Sequence, residues 1–410
     1  MTVRIRCRTA LVAGLVALTS LVAAGVPASA DMGVLVPGDD PFYRGLDGWQ
    51  TNAHGAVLQT RTISLAPTGV QLPAEATQLL YATTDQFGKP DATVATVIRP
   101  PSASGPLRVI SYQTAYDSLS AGCDPSYALR GGGEGAPQDA VIIAGYLAAG
   151  LTVVVSDYEG SELAYGAGRL SGTATLDGIR AALHVLGAAA TTPVGMSGFS
   201  GGSIATEFAA ELAPTYAPEL NIVGVTAGDM PVDMAATIDY VDGSPEWALV
   251  LPYVMQGAAR GFDLDLTPYL SDYGRDVMAQ IADHCVSNGP NFPGLRLSQL
   301  LRPEYQNYRE IPGFTRILTD NHMGTTGTPT APMLFGAGNA DGTGDGVIVA
   351  AGERTLAAEY CHRGVSVRYN EYPGSNHLLA GALFVPAALA FLLDRFSGTP
   401  LDSGCLQLDR

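Results

Sequence analysis

The sequence predicts an α/β fold in which helices cover both faces of a doubly wound, mostly parallel sheet. Two observations lead to this prediction. Short apolar runs rich in β-branched residues alternate with helical patterns, as in "LTVVVSD" followed by "TATLDGIRAALHVLG". Continuous apolar strands of this kind are typical of parallel sheets, which are buried on both faces. The alternation stops between residues 230 and 328, and a segment of that length predicts an inserted subdomain rather than a loop.

The N-terminal thirty residues have the features of a secretory signal peptide. Three arginines precede an apolar run of about fifteen residues, and the small-residue stretch "ASA" ends at Ala30. The run is shorter than the ~20 residues that a membrane span needs, so cleavage is predicted before Asp31. No later segment is expected to be long and apolar enough to span a membrane. The mature chain is therefore predicted to be secreted, without stable membrane insertion.

The predicted core has a first part over residues 31–229 and a second part over 329–410, on either side of the insertion at 230–328. A hairpin opens the first part, because "TQLLYATTD" and "DATVATVIRP" alternate in polarity around "QFGKP". Further strands are predicted at "LRVISYQT", "LTVVVSD", "TTPVGMSG" and "ELNIVGVTAG". The second part is predicted to contain the strands "APMLFGAG" and "VSVRYNEYPG" and to end in the helix "LLAGALFVPAALAFLLDRF".

Net charge and cysteine content limit the kinds of partner that the protein can bind and the compartment in which it acts. The formal net charge of −17 disfavours nucleic acids and anionic membrane surfaces as partners. Outside the predicted signal peptide the chain has an even number of cysteines, which predicts two disulfides with three possible pairings. They are Cys123, Cys285, Cys361 and Cys405. The chain has no C-x-x-C pair, and neither a metal nor a cofactor is expected.

One serine stands in a nucleophile motif. In the stretch "GMSGFSGGS", Ser200 lies in the pattern G-x-S-x-G, between a predicted strand and a predicted helix. That setting is typical of the strained turn that exposes a nucleophilic serine at the edge of an α/β sheet. Ser197 does not fit, because Phe199 takes the place of the second glycine, and Ser203 would already lie in the helix.

A nucleophilic serine needs a base and an acid, which in this arrangement follow it in the order acid, then histidine. His377 follows the last predicted strand, where the base is expected. Asp341 and Asp345 compete for the acid after "APMLFGAG". Asp345 is favoured because it precedes a predicted helix whose free amides would stabilise its charge, whereas Asp341 could hold a turn. Calcium binding by this loop is disfavoured, since Gly352 stands where an EF-hand needs glutamate.

Several segments between Arg108 and Arg395 resemble the secretory lipase family, the lipase A type known from yeasts. In order, they are "SYQTAYDSLSAGCDPSY", "VVSDYEG", "LDGIRA", "GFSGG", "YAPELNIVG", "DGVIV" and "NH" before the last helix. The resemblance implies an α/β-hydrolase fold with a helical cap that cleaves acylglycerol esters through a Ser-Asp-His triad. It implies Ser200 as the nucleophile, His377 as the base and Asp345 as the acid.

The same resemblance implies further site residues. Backbone amides of Asp117 and Gly201 would form the oxyanion hole. One disulfide would join Cys123 to Cys285 and tie the cap to the core, and the other would join Cys361 to Cys405.

The sequence therefore predicts a secreted serine ester hydrolase, a triacylglycerol lipase that contributes to lipid catabolism through an acyl-enzyme intermediate. Its predicted partner is a lipid or another ester substrate. A short-chain carboxylesterase, or a hydrolase of polyesters or carbohydrate esters, would use the same triad and remains an alternative. The intact triad argues against a non-enzymatic binding protein that keeps the fold.

Overall fold

The computed structural model describes residues 33–401, except 46, 103–104 and 134–135, together with 404 and 405. The predicted signal peptide and its cleavage site lie outside the described residues. Within these, nine strands form one sheet in the order β1-β2-β3-β5-β4-β6-β7-β8-β9. The strands are Val57–Ile63 (β1), Glu75–Thr84 (β2), Pro90–Arg99 (β3), Val109–Gln113 (β4), Thr152–Ser156 (β5), Val194–Phe199 (β6), Ile222–Gly228 (β7), Met333–Asn339 (β8) and Val367–Pro373 (β9).

The sheet has a parallel part and an antiparallel extension. Strands β5, β4, β6, β7, β8 and β9 run parallel to their neighbours in that order. The predicted hairpin forms the antiparallel pair β2–β3, and β1 pairs with β2 at the edge. The prediction of a mostly parallel α/β sheet is confirmed.

Helices cover both faces of this sheet. The described helices are Pro125–Ala128 (α1), Pro137–Ala148 (α2), Gly168–Val185 (α3), Gly201–Tyr216 (α4), Met234–Val241 (α5), Val250–Gly261 (α6), Asp272–Ile281 (α7), Leu297–Leu300 (α8), Pro312–Asp320 (α9), Ala350–His362 (α10) and His377–Phe396 (α11). Side chains of α3, α4 and α10 form one apolar core with the sheet. Side chains of α2 and α11 form another. Each face of the sheet is thereby closed from water.

The last helix, α11, is 20 residues long with a mean hydropathy of 1.8 in its most apolar window. By length and composition it could cross a membrane, so the expectation that no later segment could do so was wrong on those two criteria. Its buried side chains pack against β7 and β8, which explains its apolar character. These side chains include Ala380, Phe384, Ala388, Phe391 and Leu392.

The segment 230–328, all of it described, contains helices α5–α9 and no β-strand. These helices pack around an apolar core of their own, with Leu251, Tyr253 and Ile281 among its most deeply buried side chains. That core continues onto Val347 and Ile348, which lie between β8 and α10. The helices of this segment therefore rest on the loop that follows β8.

Two disulfides cross-link distant parts of the chain. Cys123 is bonded to Cys285 across 162 positions, and Cys361 is bonded to Cys405 across 44 positions. Both pairs are those implied by the family resemblance. In the chain-entropy model, loops of these lengths correspond to about 4–5 kcal/mol of stabilisation each, through restriction of the unfolded chain.

Buried carboxyl groups should make the fold more stable in mild acid than above neutrality. Burial raises the pKa of Asp157 to about 7, and burial together with the adjacent Glu211 raises the pKa of Glu207. An acid whose pKa is higher in the folded state binds a proton on folding. Its stabilisation is therefore complete below the unfolded pKa near 4 and is lost as pH rises through the folded value.

We expect the Tm from scanning calorimetry to fall between about pH 5 and 8. Glu207→Gln should reduce this fall, because an amide needs no proton and its oxygen can still accept the hydrogen bond from Tyr360. The exposed Glu246→Gln is the matched control and should leave the profile unchanged. A Tm that stays level or rises over this range would contradict the expectation.

Candidate active site

Four polar side chains meet at the carboxyl ends of four neighbouring parallel strands. Ser200 follows β6, Asp229 follows β7, Asp345 follows β8 and His377 follows β9. Because β6–β9 are adjacent in the sheet, the loops after them converge on one edge, where ligands of open α/β sheets bind.

Ser200 occupies a strained turn between β6 and α4. Its backbone has φ 55° and ψ −128°, outside the regions that side-chain-bearing residues ordinarily adopt. A Cβ atom at Gly198 would lie 2.2 Å from the carbonyl oxygen of Gly202, and one at Gly202 would lie 2.1 Å from that of Gln113. The flanking positions therefore need glycine for clearance, and the turn presents the serine hydroxyl at the sheet edge.

His377 lies between the serine and an acid. Its Nε2 is 2.8 Å from Ser200 Oγ, and its Nδ1 is 2.5 Å from Asp345 Oδ2. The backbone N–H of His377 also donates to the carbonyl of Asp345 at 3.1 Å, which fixes the start of α11 against the acid loop. With the proton on Nδ1 bonded to Asp345, Nε2 is free to accept the serine proton.

The two candidate acids have different surroundings. Asp345 is buried, and its Oδ1 accepts the N–H groups of Val347 and Ile348 at 2.8 and 2.6 Å. Asp341 instead accepts the N–H groups of Thr343 and Gly344, which closes a turn. The structure brings Asp345 to the histidine and places Asp341 in the turn.

Asp345 was expected to lie at the start of a helix, and this expectation was wrong, although the structure places the residue against His377. Helix α10 begins at Ala350, with Val349 as its N-cap, so Asp345 does not lie at the helix start. The amides that bond its carboxylate belong to the loop between β8 and α10. A tight loop supplies the same kind of N–H donors as a helix N-terminus, and the sequence pattern did not distinguish the two.

The acids next to His377 and the imidazole itself shift one another's pKa values. Burial opposes ionisation of Asp345, but hydrogen bonds and charge from His377 outweigh it and lower the pKa of this carboxyl. Burial also disfavours the imidazolium, but the nearby Asp229 and Asp345 raise the pKa of His377. An ionised acid beside the imidazole stabilises the imidazolium that proton transfer from a serine would create.

Sequence reasoning did not identify Asp229 as part of the site. Its Oδ2 lies 3.4 Å from His377 Nδ1, and its side chain is fully buried. The sequence did carry a signal, since an acid in "VTAGDM" directly follows a predicted strand that neighbours the one bearing Ser200. Burial raises the pKa of the Asp229 carboxyl to about 7.

Asp117 and Gly201 face each other beside the serine. A Cβ atom at Gly201 would lie 1.7 Å from Asp117 Oδ1, so this position admits only glycine while Asp117 stays in place. As the first residue of α4, Gly201 has no acceptor for its N–H within the helix. The Asp117 segment is held in place by its own carbonyl, which accepts from Val286, and by Glu159, which accepts from Ser118.

Aromatic side chains form walls around the histidine. The ring of Phe199 lies 5.2 Å from that of His377, and Trp247 meets His377 edge to face at the same distance. Trp247 belongs to the segment 230–328, as does Tyr240, whose hydroxyl accepts the N–H of Gly346. Sequence reasoning assigned none of these aromatic residues to the site.

The segment 230–328 also contains an apolar crevice. Helices α5, α6, α8 and α9 enclose it, and every side chain that lines it is apolar. Its lining includes Met234, Ile238, Leu251, Val254, Met255 and Phe314. The free volume within it is about 10 Å³, room for about one water molecule, so in this structure it is a gap between packed helices rather than an open site.

The chain is similar to several known proteins. A family model described as "Secretory lipase" matches residues 136–404. A protein of Mycobacterium tuberculosis named as a probable inactive lipase is 34% identical over 381 residues, covering 90% of this chain and 84% of that protein. Lipase 4 of Candida albicans is 31% identical over 394 residues, covering 91% and 84%. The closed-state structure of Candida antarctica lipase A matches with a TM-score of 0.82 at 30% identity, covering 90% of this chain and 89% of that one.

Proposed function

The chain belongs to the secretory lipase family, and from this premise we propose that it hydrolyses acylglycerol esters through a triad of Ser200, His377 and Asp345. The protein is a carboxylic ester hydrolase, and we propose that it is secreted, which its family and its two disulfides support. The proposal depends chiefly on one observation, the hydrogen-bonded chain from Ser200 Oγ through the imidazole to Asp345. The proposal includes a signal peptide over residues 1–30, removed before Asp31.

The first half of the reaction forms an acyl-enzyme. His377 Nε2 takes the proton of Ser200 as Oγ attacks the ester carbonyl carbon, and Asp345 stabilises the resulting imidazolium. The backbone N–H groups of Gly201 and Asp117 donate to the oxyanion of the tetrahedral intermediate. Loss of one such donor typically costs ~3–4 kcal/mol. The intermediate then collapses, and His377 gives its proton to the departing alcohol.

The second half releases the fatty acid. The same imidazole takes a proton from water, which attacks the acyl carbon, and the proton then passes to Ser200 Oγ as the serine ester breaks. The carboxylate product and the alcohol of the first half are the products expected of a step in lipid catabolism.

We assign the acyl group to the helical segment 230–328, which acts as a cap on the core formed by residues 31–229 and 329–410. Trp247 brings this segment within 5.2 Å of the histidine ring, and the apolar crevice among its helices would have to widen to admit an acyl chain. The first turns of α11 add exposed apolar surface beside His377, at Leu378, Leu379 and Leu383. Exposed apolar surface next to a reactive group favours a lipid substrate over a small water-soluble ester.

A nitrophenyl ester series and emulsified triolein test this assignment. We expect hydrolysis of triolein and a preference for longer acyl chains. Val254 lines the crevice and is partly buried, so Val254→Phe should keep it from widening and, in protein that the Tm shows to be folded, lower kcat/KM for long chains about tenfold relative to short ones. Gln280→Phe, on the exposed side of α7, is the matched control and should leave the profile unchanged. Activity confined to acetyl esters would favour the short-chain esterase instead.

A further inference from the structure

The carboxyl of Asp229 has an unusual position for a residue without an assigned role. It is fully buried behind the histidine, and its Oδ1 accepts the N–H of Gly338 at 2.7 Å. Its Oδ2 receives no hydrogen bond from a donor among the described residues, although it lies 3.4 Å from His377 Nδ1. The backbone at this position has φ 45°, and strain of this kind in a non-glycine residue is typical of functional sites.

The hydrogen bonds distinguish the two acids behind His377. Asp345 receives the Nδ1–H of the imidazole on one oxygen and two backbone N–H groups on the other. Asp229 receives one backbone N–H, so its charge would be far less well compensated. A side-chain oxygen of Asp229, one of Asp345 and a ring nitrogen of His377 all lie within 4.8 Å of one another. Two carboxylates this close cannot both be ionised at low cost in a buried site. Of the pair, Asp229 is therefore the one suited to hold a proton.

Other ionisable groups face this pair. Glu353, on α10, is buried and accepts the N–H of Met230 at 2.7 Å. The phenol of Tyr372, on β9, interacts electrostatically with Asp229. The carboxyl of Asp117, across the serine, interacts with His377. None of these groups is positively charged, so His377 is the one cation that the described surroundings offer to balance an ionised Asp229.

We propose that Asp229 is a positioning residue for His377. While the imidazole is neutral, Asp229 carries a proton that it shares with Asp345. The pair then carries one negative charge instead of two, and His377 can act as a base over a wider pH range. The proposal rests on the triad of the proposed function. No covalent step is added, since the proton stays within the Asp229–Asp345–His377 group.

Asp229→Asn separates this role from a structural one. The amide oxygen can accept the N–H of Gly338, and the amide nitrogen can donate to Asp345 as the protonated acid does. We expect kcat on its plateau to stay within about threefold of wild type, with KM unchanged. Because the amide is neutral like the protonated acid, the acid limb of kcat/KM should stay within about 0.3 pH units of wild type, whereas Asp229→Leu, which cannot donate to Asp345, should lower kcat at least tenfold.

A matched control variant and a check of folding accompany this test. Glu207→Gln, a buried acid changed to its amide away from the site, is the matched control and should leave the acid limb in place. Circular dichroism and the Tm show whether each variant is folded. An acid limb at least one pH unit lower in folded Asp229→Asn would overturn the proposal, because it would mean that Asp229 is ionised beside the imidazolium, and so would wild-type kcat in folded Asp229→Leu. A loss of kcat of a hundredfold or more in Asp229→Asn would also overturn it, because it would mean that the ionised carboxylate is required.

Ser200→Ala distinguishes failure of this inference from failure of the triad. An active Ser200→Ala enzyme would contradict both the proposed triad and the proposed role of Asp229. If Ser200→Ala is inactive while folded Asp229→Leu keeps the wild-type kcat, the triad stands and Asp229 is a structural residue.

Discussion

Ser200→Ala is expected to lower kcat for ester hydrolysis by about 10⁵–10⁶-fold, the range seen when the nucleophile of a serine triad is removed. The hydroxyl is the atom that forms the acyl-enzyme, and no other group near His377 Nε2 replaces it in the structure that we describe. The fold should stay intact, because the strained turn depends on Gly198 and Gly202 rather than on the serine side chain. Initial rates on a nitrophenyl ester measure the effect.

Ser197→Ala is the matched control for this variant. Ser197 is three residues away and buried, and its hydroxyl accepts hydrogen bonds from Tyr146 and Thr226. Its loss should weaken packing between strands without touching the reacting atoms, so most of the activity should remain. Near-wild-type turnover by Ser200→Ala, or loss of activity in folded Ser197→Ala, would contradict the assignment of the nucleophile.

Asp345→Asn is expected to lower kcat by about 10³–10⁴-fold, the upper figure being that for a neutralised triad acid that leaves the imidazole in the wrong tautomer. The amide cannot stabilise the imidazolium as the carboxylate does, although it can still accept the N–H groups of Val347 and Ile348. The nearby carboxyl of Asp229 is a reason to expect less than the full loss, since its Oδ2 stays within reach of Nδ1. The double variant Asp229→Asn, Asp345→Asn should therefore be slower than Asp345→Asn.

Asp341→Asn is the matched control in the same loop. Its carboxylate accepts the N–H groups of Thr343 and Gly344 and the hydroxyl of Tyr240, and these backbone hydrogen bonds lower its pKa. The change should lower the Tm and leave kcat within a few fold of wild type. The converse result, with Asp341→Asn inactive and Asp345→Asn active, would transfer the role to Asp341.

Most of the fold was predictable because its strands are continuous apolar runs. Strands β4–β8 are mainly buried, and burial on both faces requires continuous apolar runs such as "TVVVS". Strand β1 was not predicted, because it lies at the sheet edge and its side chains are only partly buried. An edge strand has few positions that must be apolar, so its pattern resembles that of a loop.

The candidate site was predictable where a local motif or chain order determines a residue. Ser200 follows from G-x-S-x-G between a strand and a helix, and His377 from its place after the last strand. Asp229 and Trp247 depend on which loops meet across the sheet edge, and no spacing within the sequence states that. The donors to the Asp345 carboxylate were likewise misassigned, because a loop and a helix start offer similar amides.

The most direct test of the central claim is labelling with a fluorophosphonate followed by peptide mass spectrometry. We predict one covalent adduct, on Oγ of Ser200, which forms at a rate that follows the ionisation of His377 and is abolished in His377→Ala. An active, unlabelled enzyme, or an adduct on a residue other than Ser200, would contradict the claim that Ser200 is the nucleophile of a serine ester hydrolase.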